Sequence, residues 1–228
     1  MKQHEKSSLE IIQRIEEVIK IFKDFFNKSI IKNQDKNQIE EINNQEIKYN
    51  GGGRYFGKVV NELPEGKGTM YYPNGDRYEG EWRNGKPDGK GIKYWNKEPF
   101  KGDRYEGDWR KDKKEGKGIY HHHNGDRYEG DYRNDKREGK GIYYYGREPF
   151  RGDRYDGDFR NNKRDGKGIY YYNNGDRYEG DERNGLKEGK GIYYYNNGDR
   201  MMGDYYNDKP IGKHVMLTKN GEVQINNY

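Results

Sequence analysis

Cysteine is absent from the 228 residues, and apolar residues are scarce. Without cysteine, neither a disulfide framework nor a thiolate metal site can form, which fits a reducing, cytoplasmic compartment. Hydrophobic residues make up 29% of the chain and charged residues 37%, which is too little apolar side chain for an ordinary two-layer core. No apolar run approaches the length of a membrane span, and the first residues carry no signal-peptide pattern.

A strong excess of one charge is also lacking. The formal net charge is +5, and Lys and Arg alternate with Asp and Glu along the chain. A nucleic-acid-binding protein is expected to concentrate its basic residues in a patch or stripe, so we predict no nucleic-acid partner. The interleaved carboxylates should also offset most of the attraction between the basic residues and anionic lipid.

What the sequence has instead is a phrase repeated six times. Gly-Asp-Arg recurs with its aspartates 27, 23, 27, 23 and 23 residues apart, at Asp76, Asp103, Asp126, Asp153, Asp176 and Asp199. Self-similarity at this period predicts a repeat array in which each unit contacts its neighbours. Such an array presents an extended surface rather than one catalytic pocket.

Each unit contains two strand patterns joined by turn residues. Seven units begin at Tyr55, Tyr78, Tyr105, Tyr128, Tyr155, Tyr178 and Met201. In the second unit, alternation puts Tyr78, Gly80 and Trp82 on one face, and the Asn84-Gly85 pair predicts a hairpin turn. Strands this short, joined by tight turns, must be antiparallel. The expected fold is mainly β, an elongated single-layer twisted antiparallel sheet with about fourteen strands in the array.

Glycines recur inside the strand patterns, where they need a reason. We expect Gly80, Gly89 and Gly91, with their equivalents, to make room for aromatic rings that lie flat across the neighbouring strand. A single layer has no second layer to bury its apolar face. These rings would therefore form the core.

The combined elements resemble a known repeat. Residues 78–86 read Tyr-Glu-Gly-Glu-Trp-Arg-Asn-Gly-Lys, Gly-Lys-Gly follows, and Asn-Gly-Asp-Arg-Tyr recurs between units; together they resemble the MORN repeat (membrane occupation and recognition nexus). The resemblance covers 55–214 and implies β-hairpins in a twisted, grooved sheet. It implies a groove lined by aromatic residues, here Tyr78, Trp82, Tyr105, Trp109, Tyr128, Tyr132, Tyr155, Phe159 and Tyr178.

The family occurs in three settings. Some members fuse the repeats to a lipid kinase or lysine methyltransferase, and junctophilins pair them with a membrane anchor. Others are repeats with little else, such as ciliary radial-spoke-head proteins and apicomplexan cytoskeletal scaffolds. This sequence shows neither an enzyme domain nor an anchor, so it resembles the third group.

Four segments follow from these patterns. They are a helix in 1–31, a polar linker over 32–54 that ends in a glycine hinge, the array over 55–214, and a C-terminal capping hairpin over 215–228. In the first segment, one face of an amphipathic helix is predicted by the spacing of Ile12, Ile15, Ile19, Phe22 and Phe26. That stripe is expected to bury against the array, a second copy of the chain or another protein. A homodimer through this helix or through the terminal repeat is one such arrangement.

Two repeats carry an insertion at the same turn. Residues 97–101 read Lys-Glu-Pro-Phe-Lys, and residues 147–151 read Arg-Glu-Pro-Phe-Arg. Insertions in repeat arrays often lie on the binding side, and two loops four strands apart should project from one edge about 20 Å from each other. Glu98, Phe100, Glu148 and Phe150 are therefore candidate partner-binding residues, with the phenylalanines as anchors. The alternative is that each ring folds back over the sheet edge.

No catalytic, metal or cofactor site is predicted. The carboxylates repeat in register, which favours structural ladders beside Arg and Lys, whereas a catalytic pair should break the symmetry. One carboxylate does depart from it, since Glu182 stands where other units have Trp82, Trp109, Tyr132 or Phe159. His121, His122 and His123 replace tyrosines, and three adjacent strand residues cannot close on one metal ion.

The sequence thus favours a non-enzymatic scaffold subunit of a cytoskeletal assembly, with other protein subunits as partners. The resemblance implies the axoneme of a cilium or flagellum as its location. Two alternatives are a peripheral membrane adaptor that binds anionic phospholipids and a regulatory subunit of a separate enzyme.

Overall fold

The computed structural model describes residues 45–228, which form one open antiparallel sheet. Each strand pairs with the next one along the chain. The predicted fold class, a mainly β sheet of hairpin repeats, is confirmed. The sixteen strands are β1 (Gln45–Lys48), β2 (Arg54–Val60), β3 (Leu63–Tyr71), β4 (Arg77–Arg83), β5 (Lys86–Tyr94), β6 (Arg104–Arg110), β7 (Lys113–His121), β8 (Arg127–Arg133), β9 (Lys136–Tyr144), β10 (Arg154–Arg160), β11 (Lys163–Tyr171), β12 (Arg177–Arg183), β13 (Leu186–Tyr194), β14 (Arg200–Tyr206), β15 (Lys209–Leu217) and β16 (Val223–Asn227).

The two flanking strands change the predicted boundaries. β1 lies inside the predicted linker, and the Gly52 amide donates to the Tyr49 carbonyl at 2.9 Å, so the glycines close a tight turn instead of forming a hinge. At the other end, residues 215–217 of the predicted capping hairpin are the last residues of β15, which pairs with β16. The predicted helix, with its Ile12-to-Phe26 stripe, lies outside the described residues.

Two-residue turns close the seven hairpins from β2/β3 to β14/β15. Both turn residues have positive φ, for example 48° at Asn84 and 75° at Gly85, the conformation that matches the twist of two adjoining strands. In the next hairpin the same turn is made by Lys111 and Asp112, which have no glycine to ease it. The Asp112 amide donates to the carbonyl of Pro87 in the preceding hairpin at 2.8 Å, so the stacked repeat holds the turn in place.

Six tyrosine rings form the centre of the core. Tyr55, Tyr78, Tyr105, Tyr128, Tyr155 and Tyr178 are fully buried, although the sheet has a single layer. Each ring lies over a glycine pair, as Tyr78 does over Gly80 and Gly91, and its hydroxyl donates to the carbonyl three residues on (Glu81, 3.1 Å). The prediction is confirmed for Gly80 and Gly91, but it was wrong for Gly89, which lies against the side chain of Glu81 and has φ of 114°.

This packing leaves no room for a methyl group on the glycines below the rings. A Cβ on Gly107 would lie 2.6 Å from the Tyr105 hydroxyl, with equally close contact to the backbone of β7. We expect Gly107→Ala to lower the free energy of unfolding by about 2–3 kcal/mol, because the ring or the strand must move. Urea denaturation followed by circular dichroism measures the loss. Gly51→Ala is the control, since a Cβ there meets nothing within 4 Å; equal effects of the two substitutions would contradict the close-packing account.

The aspartate of each Gly-Asp-Arg motif joins one repeat to the next. Asp126, only 3% exposed, accepts the Tyr143 hydroxyl at 2.8 Å and the Gly146 amide at 2.9 Å, both from the following repeat. The same two kinds of bond occur at Asp103, Asp153 and Asp176. The motif that revealed the repeats therefore stabilises the stacking of their turns.

Candidate interaction surfaces

The nine aromatic residues predicted to line a groove belong to the core. The exposed fraction of each of these side chains is at most 6%, and Tyr178 is fully buried. They meet edge to face along the sheet: the Tyr78 ring lies 5.0 Å from Trp82 and 5.3 Å from Trp109 of the next repeat. Edge-to-face pairs at this distance stabilise a fold beyond the area that they bury. These rings hold the array together and are not free to bind a partner.

A second row of rings, on the same face, is more accessible. It runs through five repeats as a continuous stack, with centroids 4.4–6.4 Å apart: Trp95, Tyr120, His122, Tyr143, Tyr145, Tyr170, Tyr172, Tyr193 and Tyr195. Tyr120 and Tyr170 are buried, and the others are half-buried. The Tyr-Tyr-Tyr runs of the sequence carried this signal, because their first and third residues share a face.

Four cations lie among these rings, and sequence reasoning missed them. Lys114, Arg137, Arg164 and Lys187 are each the second residue of a hairpin's second strand. The Lys114 Nζ atom lies 4.8 Å from the Tyr120 ring centroid, and the Arg137 Cζ atom lies 5.0 Å from that of Tyr143. Burial lowers the pKa of both lysines. Cation–π attraction offsets part of the cost of removing these charges from water.

Glu182, the carboxylate that breaks the repeat symmetry, is paired with one of these cations. Its side chain is 1% exposed, and Oε2 lies 2.6 Å from Nε of Arg164. Burial raises the pKa of Glu182 to about 7, although Arg164 opposes the shift. For Arg164, burial alone would lower the pKa, but Glu182 and nearby tyrosines outweigh it. The residue that departs from the consensus thus forms a buried ion pair, out of reach of a substrate.

The two insertions form matching loops on one edge of the sheet. Phe100 is 51% exposed and Phe150 50% exposed, so neither ring is covered as a lid would be. The Phe150 ring still touches Tyr145, with centroids 5.9 Å apart, which ties it to the half-buried ring row. Glu98 and Glu148 lie in the same loops and are also exposed. Phe150 is thus partly folded back onto the row of aromatic rings, as the alternative interpretation of the loops predicts, while half of its surface stays exposed.

The open groove of the molecule lies on the face away from the rings. Two adjoining cavities of about 820 and 840 Å³ share Lys140 and Asp156 and extend from β4 to β14. Their floor is glycine backbone and one isoleucine per repeat. Along one side runs a ladder of ion pairs, such as Lys117–Asp131 at 2.6 Å and Lys140–Asp158 at 2.7 Å. The carboxylate ladders beside Lys and Arg that the sequence predicted are present here.

The histidines that replace tyrosines take part in a hydrogen-bond network. Asp103 accepts the Tyr120 hydroxyl at 2.7 Å and lies 2.7 Å from Nδ1 of His123. Burial alone would raise the pKa of Asp103, but these hydrogen bonds outweigh it and leave the pKa below its ordinary value. Within residues 45–228 no group of three or more potential ligands is arranged to hold a metal ion. The same range contains no helix long and apolar enough to cross a membrane.

Comparison with known protein families identifies the repeats. A family model described as the MORN repeat matches six stretches that together cover more than half of the chain: 55–77, 78–97, 105–127, 128–147, 155–177 and 178–200. The seventh predicted unit, beginning at Met201, is not among them. A search of curated proteins returned no significant match.

Two solved structures show a distant likeness. The TCP domain of SAS-4 (dCPAP) from Drosophila melanogaster, solved with a proline-rich motif of Ana2, is 16% identical, with 81% of this chain and 90% of that chain covered and a TM-score of 0.45. The TCP10 domain of CPAP from Danio rerio is 12% identical, with 80% and 94% covered and a TM-score of 0.34. Neither comparison bears on function.

Proposed function

Since the chain belongs to the MORN-repeat family, we propose that it is a non-catalytic scaffold subunit that joins other protein subunits in a cytoskeletal complex. The proposed location is the cytoplasmic axoneme of a cilium or flagellum, because the repeat-only members that the sequence resembles include radial-spoke-head proteins. The repeats of this family serve protein–protein or membrane binding, and the surfaces described above favour a protein partner.

The observation that carries the proposal is the pair of insertion loops. Aromatic residues at the centre of an interface contribute more of the binding energy than most other side chains. Phe100 and Phe150 are half exposed, occur at the same position of two repeats and lie four strands apart. Two equivalent anchors about 20 Å apart on one edge fit a single partner that binds both loops.

The chemistry of the carboxylates supports a non-catalytic role. Those that repeat, such as Asp126 and Asp153, accept hydrogen bonds from the next repeat and are at most 4% exposed. The one that departs from the pattern, Glu182, is buried against Arg164. A general acid or base must reach its substrate, and these groups are committed to structure instead.

Removing both anchors should release the protein from its assembly. We expect Phe100→Ala with Phe150→Ala to reduce retention in the detergent-insoluble skeleton by about tenfold or more, because anchor residues commonly contribute over 2 kcal/mol each. The measurement is quantitative blotting of soluble and insoluble fractions from cells that express the variant. Phe56→Ala is the matched control, since Phe56 is 40% exposed but lies on β2, away from the loops.

The same fractionation tests the function itself. Retention of the wild-type protein with the microtubule-based skeleton after membranes dissolve is the expected result. Release with the lipids would overturn the scaffold proposal and favour a membrane adaptor. Retention of the double variant at the wild-type level would leave the scaffold but remove the loops as its docking site.

A further inference from the structure

Four consecutive hairpins close on pairs of like charge. Across the turn, Arg83 pairs with Lys86, and the same pairing of arginine with lysine recurs at Arg110/Lys113, Arg133/Lys136 and Arg160/Lys163. Like charges directly opposite each other in an antiparallel pair destabilise a sheet. The three remaining hairpins of the array close on Val60/Leu63, Arg183/Leu186 and Tyr206/Lys209, so the fold does not require the arrangement. We call these eight residues the cation row.

The cation row faces solvent on the side away from the rings. Trp82 and Pro87, the neighbours of Arg83 and Lys86, are buried in the core, and alternation along a strand turns the two cations to the other face. All eight residues are exposed. They lie on the edge opposite to the insertion loops, because the two-residue turns and the insertion turns are at opposite ends of the strands.

The carboxylates near the row also accept hydrogen bonds from backbone amides of the turns. Glu115 accepts the Asn134 amide at 3.0 Å, and Glu138 accepts the Asn161 amide at 3.0 Å. Asp88 and Asp165 accept turn amides in the same way and also lie 3.7 and 3.6 Å from Arg83 and Arg160. Two of the turns add an aspartate of their own: Asp112 lies within electrostatic reach of Lys86, and Asp135 accepts the Lys114 amide at 2.9 Å. Eight cations therefore face six carboxylates, and backbone amides share the charge of five of the six.

The lysines next to the cation row, on the same face of the sheet, are paired with carboxylates. Closer to the middle of the strands, four lysines each form an ion pair with an aspartate on the next strand: Lys90–Asp108, Lys117–Asp131, Lys140–Asp158 and Lys167–Asp181, at 2.5–3.0 Å. The array thus neutralises the inner row and leaves an excess of positive charge at the edge. A repulsive arrangement kept in four repeats in succession indicates an anionic partner that relieves it.

We infer that the cation row binds an acidic polypeptide segment in an extended conformation. Six strand spacings separate the first pair from the fourth, or about 29 Å, which about nine residues of extended chain would span. One cation pair every two strands, about 9.6 Å, matches three residues of such a chain. Opposite charge along this line would replace four repulsions with attractions.

Two other anionic partners fit less well. A sheet twists by some 20–25° at each strand, so the row follows a curved path that a flat membrane surface could touch only in part. Proteins that bind single-stranded nucleic acid combine basic grooves with aromatic side chains that stack on the bases. The cation row contains no aromatic residue, and the rings lie on the opposite face.

The test measures binding of a fluorescent twelve-residue oligoglutamate to the full chain at low and moderate salt. The test variant carries Lys86→Gln, Lys113→Gln, Lys136→Gln and Lys163→Gln. We expect it to bind about tenfold more weakly, because each lost contact is worth a few tenths of a kcal/mol. Its melting midpoint should stay at the wild-type value or rise, because repulsion is removed. Loss of binding with retained stability separates a binding role from a structural one.

The control variant makes the same change of charge elsewhere. Lys58, Lys67, Lys190 and Lys213 are exposed lysines outside the row, and within 45–228 they form no ion pair. Their replacement by Gln should leave the affinity within about twofold. Equal loss in both variants would overturn the proposal, since net charge alone would then explain binding.

Two further probes exclude the alternatives. Wild-type protein that fails to bind oligoglutamate at low salt would overturn the proposal, as would tighter binding to phosphatidylserine vesicles or to a twelve-nucleotide single strand. Neither result depends on the cytoskeletal location. The inference about the cation row can therefore fail while the scaffold proposal stands, and the reverse also holds.

Discussion

Glu182→Ala is expected to lower the free energy of unfolding by about 3 kcal/mol. The carboxylate is 1% exposed and lies 2.6 Å from Nε of Arg164, which is itself 19% exposed. Removing one member of a buried ion pair leaves the other charge without compensation. The substitution also leaves a cavity where other repeats have a ring. Urea denaturation at pH 6, where the stabilising contribution of Glu182 is still present, measures the loss.

The preceding repeat shows which residue should be tolerated in place of Glu182. In the preceding repeat, Arg137 lies over Tyr143 and Phe159, and its guanidinium donates to the Asn162 carbonyl at 2.6 Å, so it needs no carboxylate. Glu182→Phe should reproduce that arrangement around Arg164 and keep the free energy of unfolding within about 1 kcal/mol of wild type. A loss as large as that of Glu182→Ala would show that the ion pair, and not the filled volume, stabilises this repeat.

The pH dependence gives a second readout of the same residue. The folded-state pKa of Glu182, about 7, is raised above the unfolded value of 4.5, so its stabilising contribution is present at low pH and is lost as the pH rises through 7. Between pH 5 and pH 7.5 the wild-type protein should lose up to about 2–3 kcal/mol through this group. Glu182→Gln does not titrate, so its stability should change less over that range. Parallel pH profiles for the two proteins would contradict the shift.

The repeats made most of the fold predictable from the sequence. Asn84-Gly85 predicted a hairpin turn, and the alternation around Gly80 predicted a ring over glycine; both follow from local chemistry that recurs in every unit. The register of each hairpin is fixed by its two-residue turn and recurs from unit to unit. The bounds of β1 and β15 were not predictable in this way, since no neighbouring copy defines the ends of the array.

The surfaces were less predictable than the fold. Arg83 and Lys86 are three residues apart, and only their positions on either side of a two-residue turn make them neighbours across the strands. Lys114 reads as one more charged residue in the sequence. It lies among aromatic rings because the pairing of the repeats brings Trp95, which follows β5, next to Tyr120 on β7. Composition reports the number of charges. Which charges face each other depends on the strand register, and the net charge of the chain does not show this pairing.

In the terminal repeat, the buried aromatic ring has moved from the first strand of the hairpin to the second. Met201 replaces the tyrosine that lies over the glycine pair in the six preceding units, and His214 replaces the second glycine of that pair. His214 is fully buried, and its ring occupies the space above Gly203 where a Cβ would have to stand. It meets Tyr205 and Tyr228 edge to face at 5.3 and 5.0 Å. The ring of the core is thus supplied by the opposite strand.

Each single step back toward the consensus should therefore destabilise the repeat, and the two together should not. His214→Gly is expected to cost about 2–4 kcal/mol, because it removes a buried ring and leaves a cavity. Met201→Tyr should cost a similar amount, because its ring would compete with His214 for one space. In the double variant, Tyr at 201 can lie over two glycines and donate its hydroxyl to the Asp204 carbonyl, as Tyr178 does to Asp181 at 3.0 Å. We expect that variant within about 1 kcal/mol of wild type, with a coupling energy above 2 kcal/mol in the double-mutant cycle.

Hydrogen bonding gives a reason to expect the double variant at or above the wild-type stability. Within the described chain, neither ring nitrogen of His214 has a hydrogen-bond partner, and a buried polar group without one lowers stability by about 1–3 kcal/mol. The tyrosine hydroxyl of the consensus arrangement would be satisfied instead. Urea denaturation of the wild type and the three variants supplies all four corners of the cycle. Additive losses would show that the two positions do not share one space, and the exchange between strands would then be coincidental.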